Sequence, residues 1–379
     1  MLNRSGTTAI LILILVFSGF PLFGEKLDPF VMPSARASAM GGRHAALADD
    51  LYSIFSNPAG FIGVKEEFSA AELTLSSYGP IFEILDLVQE NFDSLDDLDI
   101  SGIVGRGGFA AGFDVGGPIA IGWVGRGLGL GVFSHFSTNA VVSGATIRPV
   151  TSSDILMAGG YSFRVLNKGN SVLDLGFLGK GFFRISTESD APIIDVGGLF
   201  DDPLNVPLKT ALGMGVDLGI KYTYAETFSA ALVCFDPYSP AMVTSYHSAS
   251  GFFDGDNSSD TDYAVVKPRL DIGFKYRIHS TFLDKYISDF VVLADYHDFL
   301  DLAALIPRNP LLNVGLGIEL KVLEALSFRV GIYDALPSAG FGLDLKLMQL
   351  DCSIYGKELG LDPGIHPVYG LDLGLLFRY

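Results

Sequence analysis

A strict alternation between apolar and small or charged residues is the feature of this sequence that most limits its fold. In the segment 269–279, Leu270, Ile272, Phe274, Tyr276 and Ile278 alternate with Arg269, Asp271, Gly273, Lys275, Arg277 and His279. The pattern recurs in segments that begin near residues 208, 312, 326, 341 and 369. A period of two residues is typical of a β-strand with one apolar face. The sequence therefore predicts a chain built mainly from strands.

Alternating strands build both soluble sandwiches, with the apolar face inward, and membrane barrels, with the apolar face outward. Three features favour the barrel. The apolar faces extend over about 9–11 residues, which is the length that a tilted strand needs to cross a bilayer. The opposite face is rich in glycine and carries charges of both signs, which suits a polar lumen. Aromatic residues lie near strand ends, as in interfacial girdles, at Tyr222, Tyr276, Tyr369 and Tyr379.

Composition supports an exported membrane protein. Of 379 residues, 49% are hydrophobic and only 18% are charged. The formal net charge of −18 argues against nucleic acid as a partner, because nothing would offset phosphate repulsion. After the N-terminus no apolar run reaches the ~18 residues of a membrane helix. A hydrophobic exported chain without such helices is expected to be a transmembrane β-barrel.

The first residues have the pattern of a secretory signal peptide. Arg4 supplies positive charge, residues 7–20 are apolar, and the small residue Gly24 precedes Glu25. We therefore expect export to the bacterial outer membrane, with cleavage near Gly24. An uncleaved transmembrane anchor is the alternative.

The alternation predicts an all-β fold, a 14-stranded antiparallel transmembrane β-barrel, in which an even strand number leaves both chain ends on one side. The predicted strands lie near 65–77, 106–115, 118–125, 127–142, 152–166, 171–187, 207–223, 226–236, 267–279, 286–298, 310–322, 325–334, 339–348 and 366–379. Two points stay open: whether 350–356 is a separate strand, and how 118–142 is divided. Residues 188–206 and 236–266 are predicted as extracellular loops, and 80–100 as a loop with a short helix.

The segment 34–61 differs from the strands, because it is dominated by small residues and contains the acidic pair Asp49–Asp50. We predict that it forms a compact helical plug in the lumen. The resulting organisation is a signal peptide at 1–24, an N-terminal hatch at 25–62 and a transmembrane barrel at 63–379.

The last strand ends on aromatic residues. Phe377 and Tyr379 resemble the C-terminal signal that the barrel-insertion machinery reads in outer-membrane proteins. We expect this machinery and outer-membrane lipid as partners, and a monomeric barrel.

Other motifs give no sign of catalysis. The glycine clusters at 105–108 and 125–131 do not stand between a strand and a helix, so they do not predict a dinucleotide site. The acidic loop 254–262 lacks the glycine and final glutamate of an EF-hand, and a solvated loop and a calcium site both stay open. We expect no enzyme activity, no cofactor and no metal site. Most charges on the inner face are expected to pair across strands, although they could also form a substrate path.

The predicted plug resembles a known family. Met40-Gly41-Gly42, then residues 46–50, then Asn57, Pro58, Ala59 and Gly60 are similar to the N-terminal hatch of the FadL long-chain fatty acid transporters and of the related PorV-like outer-membrane proteins. The resemblance implies that Asn57, Pro58 and Ala59 belong to a hatch inside a 14-stranded barrel. It also implies passive diffusion of hydrophobic molecules, with a ligand in an apolar pocket, a hatch that shifts and a sideways exit through the wall.

Because the predicted lumen is charged, an apolar pocket would have to come from the hatch and the loops. The candidates in the hatch are Leu51, Ile54, Phe55 and Phe61, and those in the loops are Phe82, Leu85, Leu199, Phe252 and Phe253. Ordinary packing of the plug against the wall is the alternative for each. Arg43 and His44, with Arg36, could meet a ligand carboxylate, but pairing with Asp49 and Asp50 is favoured.

The leading functional hypothesis is an outer-membrane transporter for long-chain fatty acids or similar hydrophobic molecules. One alternative is an outer-membrane barrel that acts as a secretion-system partner or surface adhesin. Another is a porin for polar solutes.

Overall fold

A computed structural model describes residues 25–79, 109–143, 146–192, 205–255, 260–279 and 287–378. The predicted signal peptide 1–24, the loop with a short helix predicted at 80–100, and Tyr379 lie outside this part of the chain. The strands are β1 (Glu25–Leu27), β2 (Glu67–Gly79), β3 (Phe109–Gly125), β4 (Leu128–Ser143), β5 (Thr146–Lys168), β6 (Ser171–Glu188), β7 (Ala191–Pro192), β8 (Leu208–Tyr224), β9 (Phe228–Tyr238), β10 (Pro240–Tyr246), β11 (Asp260–Val266), β12 (Arg269–Arg277), β13 (Ile287–Tyr296), β14 (Val314–Val322), β15 (Leu326–Tyr333), β16 (Leu336–Asp344), β17 (Met348–Glu358) and β18 (Pro367–Arg378).

The wall of the molecule is a closed antiparallel β-barrel. Strands β2–β6, β8, β9 and β12–β18 form it in that order, and pairing of β18 with β2 closes the circle. This pairing is regular, with Leu373 opposite Leu75. The prediction of a 14-stranded antiparallel barrel is confirmed. Closure leaves no open edge, which is what a sheet in lipid requires.

Two errors in the predicted strand list cancel in the count. Residues 109–115 and 118–125, predicted as parts of two strands, belong to the single strand β3, and residues 106–108 lie outside the described part of the chain. Residues 350–356, left open as a separate strand, lie within the wall strand β17. The stretch 236–266, predicted as a loop, contains β10 and β11. These strands pair with each other, and β10 also pairs with β8, so they continue the wall beyond β9 and β12. They were not predicted because polar residues interrupt the alternation in this stretch.

The barrel has a tall side and a short side. Strand β5 has 23 residues, whereas β14, β15 and β16 have 9, 8 and 9. Five connections at the end where β18 stops have two or three residues each, and the longest connections lie at the opposite end, which we assign to the cell exterior. Where tall β11 extends beyond short β13, β1 pairs with it in parallel, with Lys26 opposite Val265. The N-terminal strand thus covers an edge that the wall leaves free.

The outer face of the barrel is apolar. On β15, for example, Leu326, Phe328, Val330 and Ile332 are all exposed. No helix in the described part of the chain is both long and apolar enough to span a membrane. Exposed apolar side chains in this number are stable in lipid and not in water. The closed barrel and its outer face therefore place the chain in the bacterial outer membrane.

Residues 28–64 lie inside the lumen and are called the hatch below. They contain α1 (Ala35–Ala39), α2 (Ser53–Ser56) and a 3-10 helix, Pro58–Gly60. Three further helices lie in extracellular connections: α3 (Ala249–Asp254) and 3-10 helices Phe299–Ala303 and Pro310–Asn313. The Ser34 hydroxyl accepts a hydrogen bond from the Ala37 amide, which caps the first turn of α1.

Inward glycines make room for the hatch on the short side. A Cβ at Gly317 would lie 2.5 Å from the Met40 carbonyl oxygen, and one at Gly331 would overlap the Met40 backbone. On the tall side the contact is apolar: Leu51, Ile54 and Phe61 pack into one cluster with wall residues. That cluster also contains Met32, Phe55, Val64, Ala120, Val124, Phe133, Leu156, Ala158 and Leu178. The hatch is therefore fitted to the wall on both sides.

Gly331→Val is expected to displace the hatch and raise the conductance of the barrel in planar bilayers. The added side chain would occupy the space of the Met40 backbone, whereas the wall keeps its own hydrogen bonds. Gly181→Val is the matched control, because a Cβ at that glycine would have no atom within 4 Å and Gly181 lies between Met157 and Met214 on the outer face. Equal conductance in both variants would contradict a close fit of the hatch.

Candidate functional site

Asn57 ties the two halves of the hatch to the wall. Its side-chain amide donates to the Ala45 carbonyl at 3.0 Å and to the Ile220 carbonyl of β8 at 3.3 Å. Its side-chain oxygen accepts from the Ala59 amide at 2.9 Å and thereby caps the 3-10 helix Pro58–Gly60. Asn57 and Ala59 are fully buried. An inward glycine, Gly219, leaves the space that Asn57 occupies.

A network of ion pairs anchors α1. Arg36 contacts Asp49 at 2.9 Å, Asp50 at 2.5 Å and Glu319 of β14 at 2.7 Å. Glu319 in turn accepts from Arg329 of β15 at 2.9 Å. Burial opposes the charge of Arg36, but the three carboxylates outweigh it and raise its pKa. The predicted pairing of Arg36 with the acidic pair is confirmed, and the network extends into the wall.

His44 is held separately. Its Nδ1 lies 2.5 Å from a carboxylate oxygen of Asp295 on β13, and its Nε2 lies 2.9 Å from the Met40 carbonyl. The other oxygen of Asp295 accepts from the Ala45 amide at 2.8 Å. His44 is fully buried in this arrangement, so it pairs with the wall and not with Asp49 or Asp50.

A cavity of about 1110 Å³ lies between the hatch and the extracellular rim, and it is called the vestibule below. Most of the residues that line it are polar, and they include charges of both signs. Acidic residues include Asp114, Asp154, Asp334 and Asp372, and basic ones include Arg43, Arg184, Arg269 and Lys357. Apolar contributions come from Leu27, Val31, Met32 and Pro33 at the start of the hatch. The vestibule therefore offers an apolar ledge beside a charged wall.

Arg43 stands out among these charges. It lines the vestibule and also a small cavity of about 40 Å³ within the hatch. Its guanidinium carbon lies 5.3 Å from the centre of the Phe55 ring. No carboxylate in the described part of the chain lies within 4 Å of it. Burial, with the positive charge of nearby Arg269, lowers the pKa of Arg43 to about 10, so the side chain stays charged at neutral pH.

The wall beside the vestibule is interrupted. Between β2 and β3, regular pairing stops at Ser69 opposite Gly122 and resumes at Thr74 opposite Gly116. Between β3 and β4, residues 117–119 form a bulge opposite the single residue Ser134. The Ser134 hydroxyl accepts from the Ile119 amide at 3.2 Å, which satisfies that amide in place of ladder pairing. Strand β3 therefore has two more residues than β4 at this point, and we take Gly117 and Pro118 as the extra ones.

The hatch covers this bulge from inside. A Cβ at Gly116 would lie 2.9 Å from the Pro33 ring and 3.0 Å from the Met32 side chain. Met32 is fully buried in the apolar cluster that contains Ala120 and Phe133, and it also lines the vestibule. The side chains of Met32 and Pro33 therefore lie between the vestibule and the interrupted wall.

Comparison with solved structures identifies the architecture. The chain superposes on CymD, a monoaromatic hydrocarbon channel, with a TM-score of 0.50, 11% identity, and coverage of 93% of this chain and 98% of that one. It superposes on the Ralstonia pickettii toluene transporter TbuX with a TM-score of 0.50, 12% identity and the same coverage. A Pseudomonas aeruginosa FadL homologue matches with a TM-score of 0.46, 10% identity, and coverage of 94% and 99%. No protein-family model and no curated protein matches the sequence.

The chain has the FadL-like barrel fold. The resemblance read from the segment 40–60 is thereby confirmed at the level of fold. The predicted motif, Asn57 to Gly60, lies inside this FadL-like barrel with its backbone against Gly176 and Gly219 of the wall.

The predicted pocket residues of the hatch fall into two groups, those in the packed cluster and those that line a cavity. Leu51, Ile54, Phe55 and Phe61 lie in the packed cluster between the hatch and the tall side, and none lines the vestibule. Arg43 lines it, and His44 borders the small cavity within the hatch. Phe252 packs on Tyr246, and Phe253 is exposed on an extracellular connection. Phe82, Leu85 and Leu199 lie outside the described residues.

Two features of the site were missed in the sequence. Met32 lies before the motif and has no distinguishing neighbours. The bulge carried a signal, since Gly116-Gly117-Pro118 within a strand marks an irregular wall.

Of the remaining predicted residues, Phe377 lies on the outer face of β18. The described residues contain no group of three or more His, Cys, Asp or Glu side chains arranged to hold a metal, and residues 256–259 of the acidic loop lie outside them.

Asn57→Ala is expected to loosen the hatch without unfolding the barrel. The change leaves two carbonyls and one amide in buried positions without their partner, at about 1–3 kcal/mol. Hydrogen exchange of the amides near residues 57–60 should accelerate roughly 5- to 150-fold if local opening limits exchange. Ser53→Ala is the matched control, because the Ser53 hydroxyl is buried without a hydrogen-bond partner. Unchanged protection in Asn57→Ala would show that other contacts hold the motif.

Proposed function

We propose that this protein is a FadL-family outer-membrane transporter that lets hydrophobic small molecules, including long-chain fatty acids, diffuse passively into the membrane plane. The position of Met32 carries this proposal, because it stands between the vestibule and the interrupted wall. A movement of the first residues of the hatch would join the two. The fold supports the proposal, since matched structures include a toluene transporter and a hydrocarbon channel.

A sideways exit suits an apolar substrate better than passage along the barrel axis. Below the vestibule, the lumen is filled by the hatch and by the ion pairs around Arg36 and Glu319. An alkyl chain that crossed this region would separate charges that are already paired. The bulge at 117–119 instead leads past Met32 to outer-face side chains such as Ile119 and Ile121, which lipid contacts. Apolar surface is thus available along the whole proposed path.

The charges of the vestibule favour an amphiphile over a neutral hydrocarbon. Arg43 has no carboxylate partner in the described chain, and it lies on the vestibule floor near the apolar ledge of Val31 and Met32. A fatty acid would place its carboxylate against Arg43 and its alkyl chain on the apolar ledge. This arrangement is the basis for naming long-chain fatty acids as the substrate class.

A polar solute is the second candidate, because most of the residues that line the vestibule are polar. In that case the solute would have to pass the hatch along the axis, and transport would not depend on the bulge. The two candidates therefore differ in one structural requirement, which the first experiment below addresses.

The same proposal includes the export, assembly and oligomeric state of the chain. We infer that residues 1–24 are removed on export, that the hatch (28–64), with β1 before it, acts as the plug predicted at 25–62, that the following strands act as the barrel predicted at 63–379, and that the chain is a monomer. Phe377 and Tyr379 would be read by the barrel-insertion machinery.

Deletion of Gly117 and Pro118 is expected to abolish uptake of a labelled long-chain fatty acid into cells. The deletion removes the two excess residues, keeps the alternation of faces and allows β3 to pair regularly with β4. Phe113→Ala, at an exposed outer-face position of the same strand before the bulge, is the control and should transport normally. Uptake by the deletion variant at the unmodified rate would rule out the sideways exit and favour the axial route.

Arg43→Gln is expected to weaken binding of a long-chain carboxylate to the purified protein by roughly 10- to 100-fold, as for loss of a hydrogen bond to a charged group. Binding of the alcohol with the same alkyl chain should change little, and Arg43→Lys should restore part of the carboxylate affinity. Fluorescent-ligand displacement measures all three. An equal loss for acid and alcohol would mean that Arg43 shapes the vestibule without contacting the carboxylate.

A further inference from the structure

Two extracellular connections of the short side carry apolar side chains that nothing in the described chain covers. They are the β13–β14 connection, with Phe299, Leu302, Leu305, Ile306 and Leu311, and the β17–β18 connection, with Leu359, Leu361 and Ile365. We call these residues the apolar shelf. Leu305 is 102% exposed and Ile306 is 74% exposed. Side chains of this type are rarely left in water as a group.

The shelf is held in place by polar contacts on its inner side. Arg308 pairs with Asp334 at 3.2 Å and donates to the Glu358 carbonyl at 2.9 Å. Asp301 accepts from the Arg308 amide at 2.9 Å. The Asn309 amide donates to the Leu361 carbonyl at 2.8 Å, which joins the two connections. Polar groups thus bond within the protein while the apolar side chains point away from it.

The height of the wall indicates what covers the shelf. Strands of 8–9 residues, tilted by about 40°, rise roughly 20–23 Å, which is less than the ~25 Å apolar band of an outer-membrane barrel. On tall β5 the apolar outer face runs from Val165 to Ile155 and is followed by exposed Ser153, so the band ends within the strand. On β14–β16 the strands end before the band does. The shelf lies directly above them, since Leu311 precedes β14.

We propose that the apolar shelf is immersed in the outer leaflet and completes the lipid-facing band on the short side of the barrel. Its partner is the acyl chains of the outer-leaflet lipid. The shelf is continuous with a surface that lipid already covers, and its one exposed polar pair, Asn309 with Asp362, would lie at the level of the headgroups. This inference does not depend on the transported substrate.

Site-directed fluorescence tests the proposal in the full-length protein. In a background with Cys234→Ser and Cys352→Ser, an environment-sensitive fluorophore is attached to Leu305→Cys, and the protein is reconstituted in phosphatidylcholine vesicles. Lipid that carries a nitroxide on its acyl chain should quench this fluorophore, and iodide on both sides of the membrane should not. Its emission should match that of Phe328→Cys, which lies on the outer face of β15.

Phe253→Cys is the matched control, because Phe253 is 69% exposed on the β10–β11 connection of the tall side. We expect iodide, and not the nitroxide lipid, to quench it. If position 305 behaves like position 253, the shelf lies in water and the proposal is wrong. Protection of position 305 from both quenchers would also overturn it, because a second copy of the chain or another protein would then cover the shelf. Ile306→Cys repeats the measurement at an independent position.

Discussion

A backbone that crosses lipid must satisfy every peptide group within the protein, and the rest of this structure depends on that constraint. Pairing of β18 with β2 removes the edge of the sheet, and β1 covers the part of β11 that extends beyond β13. Even the bulge at 117–119 follows the rule, because the Ser134 hydroxyl takes over hydrogen bonds at Ile119. A discontinuity of the wall is therefore possible only where a side chain replaces the ladder. That condition makes the bulge a specified feature, and the bulge is the place at which we propose the sideways exit.

Because the wall is closed, the contents of the lumen determine what can pass through the barrel. A barrel of this size would leave an open lumen, and the hatch fills it by two different means. Glycines such as Gly317 and Gly331 let the hatch backbone approach the short side closely, and buried ion pairs fix its position there. The tall side contributes an apolar cluster instead. Since the glycines leave no alternative packing for a displaced backbone, the short side determines where the hatch sits.

The alternation of apolar and polar residues was sufficient to predict the barrel, because it is present in every strand with one face towards lipid. It is interrupted by Gly117 and Pro118, so β3 was predicted as two strands. It is also weak in the polar segments β10 and β11, which were predicted as a loop. In the site, Asn57 and its neighbours were predicted from a resemblance to a hatch motif, whereas their bonds to Ala45 and to Ile220 of the wall depend on tertiary structure. The apolar candidates Leu51 and Phe55 were harder, because hydrophobicity alone does not distinguish a side chain that lines a cavity from one that packs a core. That difference depends on where Met32 and the bulge lie, and it arises from tertiary structure.

The distribution of contacts along the hatch indicates which part of it can move. Displacing Arg36 would break its buried ion pair with Glu319, which would keep Arg329 as a partner. Displacing His44 and Ala45 would leave the buried carboxylate of Asp295 without the hydrogen bonds that it makes with them, at about 1–3 kcal/mol for each lost bond. The preceding stretch, 28–33, makes no ion pair within the described part of the chain and is held by single hydrogen bonds and by apolar packing, including that of the buried Met32 side chain. Arg184 donates to the Asp28 carbonyl at 3.0 Å, the Tyr52 hydroxyl donates to the Pro33 carbonyl at 3.2 Å, and Phe30 stacks on Phe55. Since Met32 belongs to this stretch, we expect the proposed passage from the vestibule to the bulge to open while α1 and the Asn57 motif stay in place. In that proposal the anchored part of the hatch keeps the lower lumen closed during a sideways exit, which a movement of the whole hatch would not.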